Sequence, residues 1–249
     1  MRFYYHQLSE KNQKLYQLLK NAVESHSEEC VLYDMTLTRE HIGDIITQVL
    51  LDYPDYYWTK GDFYLYREEN SFVQYLRIKI IYLFDEEQCK KLDERISKRI
   101  AKCCEYVDQR LLLNPREIIL QVCNWIYQNT EYACTGDEDQ TIYSVFCDKK
   151  SVCMGISKAA ALILRLYDIR SIVTMGKLFG QHPHSWLIVL VDGRYYHLDI
   201  ALGYPCFDEL WYRYHDLSDR YCILKSDEWM KGTHVLDERY VYPICGGDL

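Results

Sequence analysis

No apolar run in this chain approaches the roughly 20 residues that a membrane-spanning helix needs. The longest, residues 159–164 and 186–191, are far shorter. The first ten residues lack the apolar centre and cleavage site of a secretory signal, so a cytoplasmic location is expected. Clustered positive charge is also lacking. The net charge is −8, and the densest basic run, residues 98–102, falls on a helical pattern as a solvated face. Nucleic acid is therefore excluded as a partner. Internal repeats, low-complexity tracts and Gly/Ser linkers are absent. The 11 cysteines include no C-x-x-C pair, and the one close pair is Cys103-Cys104. None of these spacings converges on a zinc ion, so no metal and no cofactor is expected. With no export signal the thiols should be reduced and mostly buried.

What is present is a globular composition, 49% apolar over 249 residues, enough to bury a real core. Helical periodicity marks residues 7–26, 38–51 (with Thr38 as N-cap) and 85–108. Asn114-Pro115 starts a further helix reaching about Asn129. Strand composition marks 56–66 and 71–84 around a turn at 68–70. Residues 130–150 are loop-rich. An apolar helix at 154–167 follows, then strands near 171–176, 184–191 and 194–200. The tail carries aromatic-rich 211–215, then 217–219 and 240–245. A soft boundary near 111–114 divides an N-terminal α+β extension, 1–110, from a second part, 111–249.

Three residues in that second part stand in an informative order. Cys153 lies at the mouth of the apolar helix, His184 opens one strand and Asp199 closes the next. Asp192-Gly193 suits a two-residue type I′ turn. If Val191 pairs with Arg194, Ile188 faces His197 and Trp186 faces Asp199. Alternation then puts His184, Trp186, His197 and Asp199 on one face. His184 and Asp199 become diagonal neighbours, about 7–8 Å apart and within side-chain reach. A thiol at a helix N-terminus has a lowered pKa. An imidazole takes its proton, and a carboxylate on the far nitrogen fixes the tautomer. The Cys153 N–H and its helix neighbours offer donors for an oxyanion. The bland alternative is a small buried thiol before an apolar helix. His182 and His197 rival His184. Asp208 rivals Asp199, and Asp192 is discounted as turn chemistry.

Residues 152–169, His184-Ser-Trp186 and Asp192-Gly-Arg-Tyr-Tyr-His-Leu-Asp199 resemble the core of the transglutaminase-like superfamily, which is similar to papain-like cysteine proteases in its Cys-His-Asp order. The resemblance implies Cys153 as nucleophile, His184 as general base and Asp199 as orienting acid. Residues 52–58, 126–132 and 214–219 look like bacterial members with an N-terminal α+β extension. Two departures stand out: Asp168 where the family often has Gly, and Ile200-Ala201 where it often has Thr-Trp. Gln140 and Trp125 are candidate oxyanion side chains. No D-x-D-x-D-G pattern is present, so calcium dependence is not implied.

The expected fold is α+β, papain-like or transglutaminase-like, with the cysteine helix packed on an antiparallel sheet. The expected function is acyl transfer at an amide through a Cys153 thioester, on a protein or peptide substrate. Water as acceptor gives peptide or isopeptide hydrolysis or deamidation; an amine gives transglutamination. The competing class is a catalytically silent module whose 24 tyrosines line grooves for a peptide or glycan. Arylamine acetyl transfer is a third reading, disfavoured because nothing suggests an acyl-CoA pocket.

Overall fold

The structure is a computed structural model describing residues 2–69, 73–109, 114–204 and 222–246. Of the expected turn at 68–70, Glu68 and Glu69 instead belong to a strand, paired with Tyr75 and Gln74, and Asn70 lies outside the described residues. The boundary at 111–113, Asp208, and the aromatic stretches 211–215 and 217–219 lie outside the described residues. The chain divides into two compact units, 2–91 and 92–249. Among the described residues no helix is long and apolar enough to cross a membrane.

The front unit packs two helices on a three-stranded antiparallel sheet. Helix α1 is Glu10–Glu24, capped by Ser9, whose hydroxyl accepts the Asn12 N–H. Strand β1 is Glu29–Leu32, and α2 is Arg39–Asp52, capped by Thr38 as its sequence predicts. Strands β2 (Phe63–Glu69) and β3 (Gln74–Ile80) complete a sheet of order β1-β3-β2. Leu15, Leu19 and Val23 of α1 meet Ile42, Ile46 and Val49 of α2 over Leu76 and Ile78 of β3. The second strand starts later than its aromatic composition suggests. Tyr56 stacks on Tyr53 at 5.0 Å, and the Trp58 indole donates to the Val23 carbonyl. These rings plug the end of α1 rather than joining the ladder. Helix α3, Glu86–Asp108, starts at the end of this unit and continues into the next.

In the second unit α4 (Pro115–Asn129) opens on a capping box, with Asn114 and Glu117 bonding each other's backbone N–H. The loop-rich expectation for 130–150 holds only in part. Strands β4 (Glu131–Tyr132) and β5 (Lys150–Ser151) pair in parallel around two short helical turns. Helix α5, Cys153–Leu166, is buried without interruption from Gly155 to Leu164. It packs on a five-stranded antiparallel sheet of order β10-β6-β7-β8-β9. The strands are β6 (Ser171–Leu178), β7 (His182–Val191), β8 (Arg194–Asp199), β9 (Cys222–Lys225) and β10 (His234–Leu236). A one-turn helix, α6 (Asp227–Met230), joins the last two. The turn has φ 48° at Asp192 and 78° at Gly193, as type I′ demands. It sets the expected register: Val191 opposite Arg194, Ile188 opposite His197. Asp168 adopts φ 57° just past α5, the left-handed stop that glycine more often supplies.

Candidate active site

Cys153 is the first residue of α5. Val152 supplies no side-chain cap, so the N–H groups of the first turn remain directed at the thiol region. One turn along, the Ser157 hydroxyl donates to the Ser185 carbonyl at 3.2 Å. That bond ties the helix to the strand residue next to His184. The Ser185 N–H and the His184 ring both hydrogen-bond the Cys153 sulfur.

His184 and Asp199 meet on the sheet face as their register predicts. His184 Nε2 lies 2.6 Å from Asp199 Oδ2, and both side chains are almost fully buried. Asp199 Oδ1 accepts the Ala201 N–H at 2.9 Å, so at the departure Ile200-Ala201 the backbone holds the carboxylate. Burial alone would drive the His184 pKa down, yet the Asp199 carboxylate and the Cys153 sulfur raise it to about 10. For Cys153, burial pushes upward, but the hydrogen bond and charge of His184 outweigh it and hold the thiol below its ordinary value. Burial likewise opposes ionisation of Asp199. The charge of His184 and the N–H groups of His184 and His234 override it and hold the carboxyl far down. A thiolate–imidazolium pair is the protonation state these shifts favour.

His234 was not anticipated from the sequence. It comes from β10, and its Nε2 lies 3.0 Å from the same Asp199 Oδ2. Burial depresses its pKa, so the neutral ring donates from Nε2. Nδ1 faces the Thr233 hydroxyl at 2.9 Å. No local motif points to this contact, because only strand pairing across the sheet creates it.

Tyr132 was missed as well. Opposite Ser151 in the β4–β5 pair, its phenol hydrogen-bonds the Cys153 sulfur and receives the Cys153 backbone N–H. Its ring rests against Tyr204 at 5.7 Å. Burial, then the sulfur's negative charge, keeps the phenol protonated. The thiol opens on a cleft of about 860 Å³ that Tyr132, Gln140, Met154, Met175, Lys177 and Glu238 help line.

The rival residues lie elsewhere. His182 is exposed at the start of β7. His197 Nδ1 accepts the Trp186 indole N–H at 3.0 Å, and its Nε2 faces Asp227 at 2.8 Å. Asp192 sits in the turn, 3.7 Å from Arg116. Trp125 is buried beneath the Arg99 guanidinium and beside Phe146, whereas Gln140 reaches the cleft. His197, Asp227 and Cys245 have ligand-type atoms close together, as do His184, Asp199 and His234. In the first group the Trp186 bond leaves the ring proton on Nε2, where a metal would need a lone pair. In the second, Nε2 of each histidine is committed to the carboxylate.

The residue pattern of the transglutaminase-like superfamily matches residues 105–200, a stretch holding Cys153, His184 and Asp199. This segment is a transglutaminase-like domain. The transglutaminase-like segment runs from α3 to the end of β8, so Tyr132 lies inside it and His234 outside. No curated protein matches the chain. Three solved structures are distantly similar. A TGase aligns at 14% identity and TM-score 0.40, over 56% of this chain and 44% of its own. A proposed protease from Parabacteroides distasonis aligns at 12% and 0.34, over 55% and 35%. A proposed cysteine protease from Cytophaga hutchinsonii aligns at 12% and 0.37, over 58% and 64%. The chain thus spans less than two thirds of each.

Proposed function

We propose that this protein is a cysteine-nucleophile enzyme acting by acyl transfer at amide bonds, on a peptide or protein substrate. The single observation that carries the reading is the buried 2.6 Å His184–Asp199 contact behind a thiol that the same imidazole hydrogen-bonds at a helix N-terminus. The Cys153 thiolate adds to the carbonyl carbon, and the carbonyl π pair moves onto oxygen. Collapse re-forms the carbonyl and breaks the C–N bond, while His184 gives its proton to the departing amine. The resulting thioester is attacked by water or by an amine, with His184 now taking the attacker's proton. Asp199 keeps the imidazole oriented and offsets its charge throughout. Peptide or isopeptide hydrolysis is the favoured outcome, because the cleft is open to the water that would serve as acceptor.

Alkylation of Cys153 against pH, read by peptide mass spectrometry in wild type and His184→Ala, tests this directly. Wild-type Cys153 should react well below the free-thiol pKa of about 8.5, and the substitution should remove that advantage. A Cys153 that titrates like the other thiols in both proteins would leave a silent binding module as the better account.

A further inference from the structure

The acyl-transfer chemistry needs a second donor for the oxyanion, and the residues nearest Cys153 supply one. Attack on a carbonyl places the new negative charge beside the Cys153 backbone N–H, the first donor. In the resting site that N–H is already directed at the Tyr132 oxygen, and the phenol O–H is directed at the sulfur. The phenol therefore lies beside the position the carbonyl oxygen must take, within reach of the same N–H. Its position is fixed from two sides. Tyr132 pairs with Ser151, two residues before the nucleophile, and the next residue's N–H donates to the Ser151 carbonyl at 3.0 Å. Tyr204 backs the ring, and Tyr132 lines the cleft on which the thiol opens. Of the two side chains the sequence suggested, Trp125 is buried away under Arg99. Gln140 is itself exposed at the end of a helical turn.

We propose that Tyr132 is a catalytic residue whose phenol O–H turns from the Cys153 sulfur onto the carbonyl oxygen during attack, completing an oxyanion hole with the Cys153 N–H. This rests on the acyl-transfer reading of the site. As the C–S bond forms, the carbonyl π pair moves onto oxygen and meets two N–H and O–H donors. On collapse the pair returns, the leaving group departs with its bonding electrons, and the phenol swings back to sulfur. The phenol stays protonated throughout and donates only a hydrogen bond.

Two thiol reactions separate this role from simple support of the nucleophile. Acylation by p-nitrophenyl acetate passes through an oxyanion and releases p-nitrophenolate. Alkylation by iodoacetamide is a displacement at a saturated carbon and makes none. Each rate is taken on the high-pH plateau of each protein, so that a change in thiol ionisation does not enter. Tyr132→Phe, which keeps the ring packing, should slow the Cys153 acylation burst on the order of a hundredfold. Its iodoacetamide rate should stay within about twofold of wild type, with the near-ultraviolet circular dichroism of the folded protein retained. Equal losses in both reactions, an unchanged burst or a faster one would each overturn the assignment. A wild type with no burst assignable to Cys153, judged against Cys153→Ala, would instead bring down the acyl-transfer reading and this proposal with it.

Discussion

Asp199 Oδ2 carries two imidazole contacts, 2.6 Å to His184 and 3.0 Å to His234. A carboxylate this deeply buried stays charged only while its oxygens are supplied with donors. One donor is the Ala201 N–H and the other two are histidines. His234 thus acts on the nucleophile at one remove, by keeping Asp199 ionised and aimed. His234→Leu should cost about 1–3 kcal/mol of stability, the penalty for stranding one bond of a buried polar group. It should also move the pH of half-maximal Cys153 alkylation upward, because His184 loses part of the charge that holds its proton. His234→Gln, whose amide can donate in place of Nε2, should restore the profile. If the leucine variant titrates like wild type, His234 is only packing.

At the scale of elements, the N-terminus of α5 depends on a network of small groups beneath it. The Ser144 hydroxyl contacts the Ser151 hydroxyl at 2.7 Å, and the Ser151 hydroxyl reaches the Asp139 carbonyl at 3.0 Å. Gly155 closes over both. A Cβ there would lie 2.3 Å from Ser151 Oγ and 2.6 Å from the Asp139 carbonyl oxygen. On propensity alone Gly155→Ala should stabilise a helix by about 1 kcal/mol. Overpacking costs typically 1–3 kcal/mol, and the clash includes backbone, so we expect a lower melting temperature and slower Cys153 alkylation at neutral pH. A more stable variant would show that the loop yields freely. This network also marks how far the sequence could be read. The Asp192-Gly193 turn is local chemistry, and it gave the register that joins His184 to Asp199. The burial of α5 and its N-terminal thiol follow from one apolar run. Tyr132 and His234 were invisible for the opposite reason. Tyr132 reaches Cys153 through a two-residue parallel pair, His234 reaches Asp199 through an edge strand, and neither pairing has a local signal. The short β1, β9 and β10 lack the length that makes alternation legible.

Across the whole molecule the abundance of cysteine becomes a property of stability. Of the thiols the structure describes, three, Cys103, Cys123 and Cys245, are almost wholly buried and outside any disulfide. Burial pushes each up to about 12, against about 8.5 in an unfolded chain. The folded protein therefore keeps three protons that the unfolded chain releases above pH 8.5. A raised folded-state pKa contributes stability that is complete below the unfolded value and lost as pH rises through the folded one. Three such groups remove about 4 kcal/mol per pH unit between roughly pH 8.5 and 12. Lys158 opposes them. Burial lowers its pKa to about 8, so its penalty is relieved as pH climbs from there towards about 10.4, the value of an unburied lysine. Across these four groups alone, with one of three protons cancelled, the loss is about 3 kcal/mol per pH unit up to about pH 10.4. That would exhaust a typical total of 5–15 kcal/mol within a few pH units of 8.5. Urea midpoints taken under reductant should be level from pH 7 to 8 and fall steeply above 9. Cys103→Ala with Cys123→Ala should lower the neutral-pH midpoint through lost packing, yet flatten the alkaline limb by two protons. Lys158→Met should do the reverse, raising the neutral midpoint and steepening the limb. An alkaline limb equally steep in all three proteins would mean that the buried thiols do not set it.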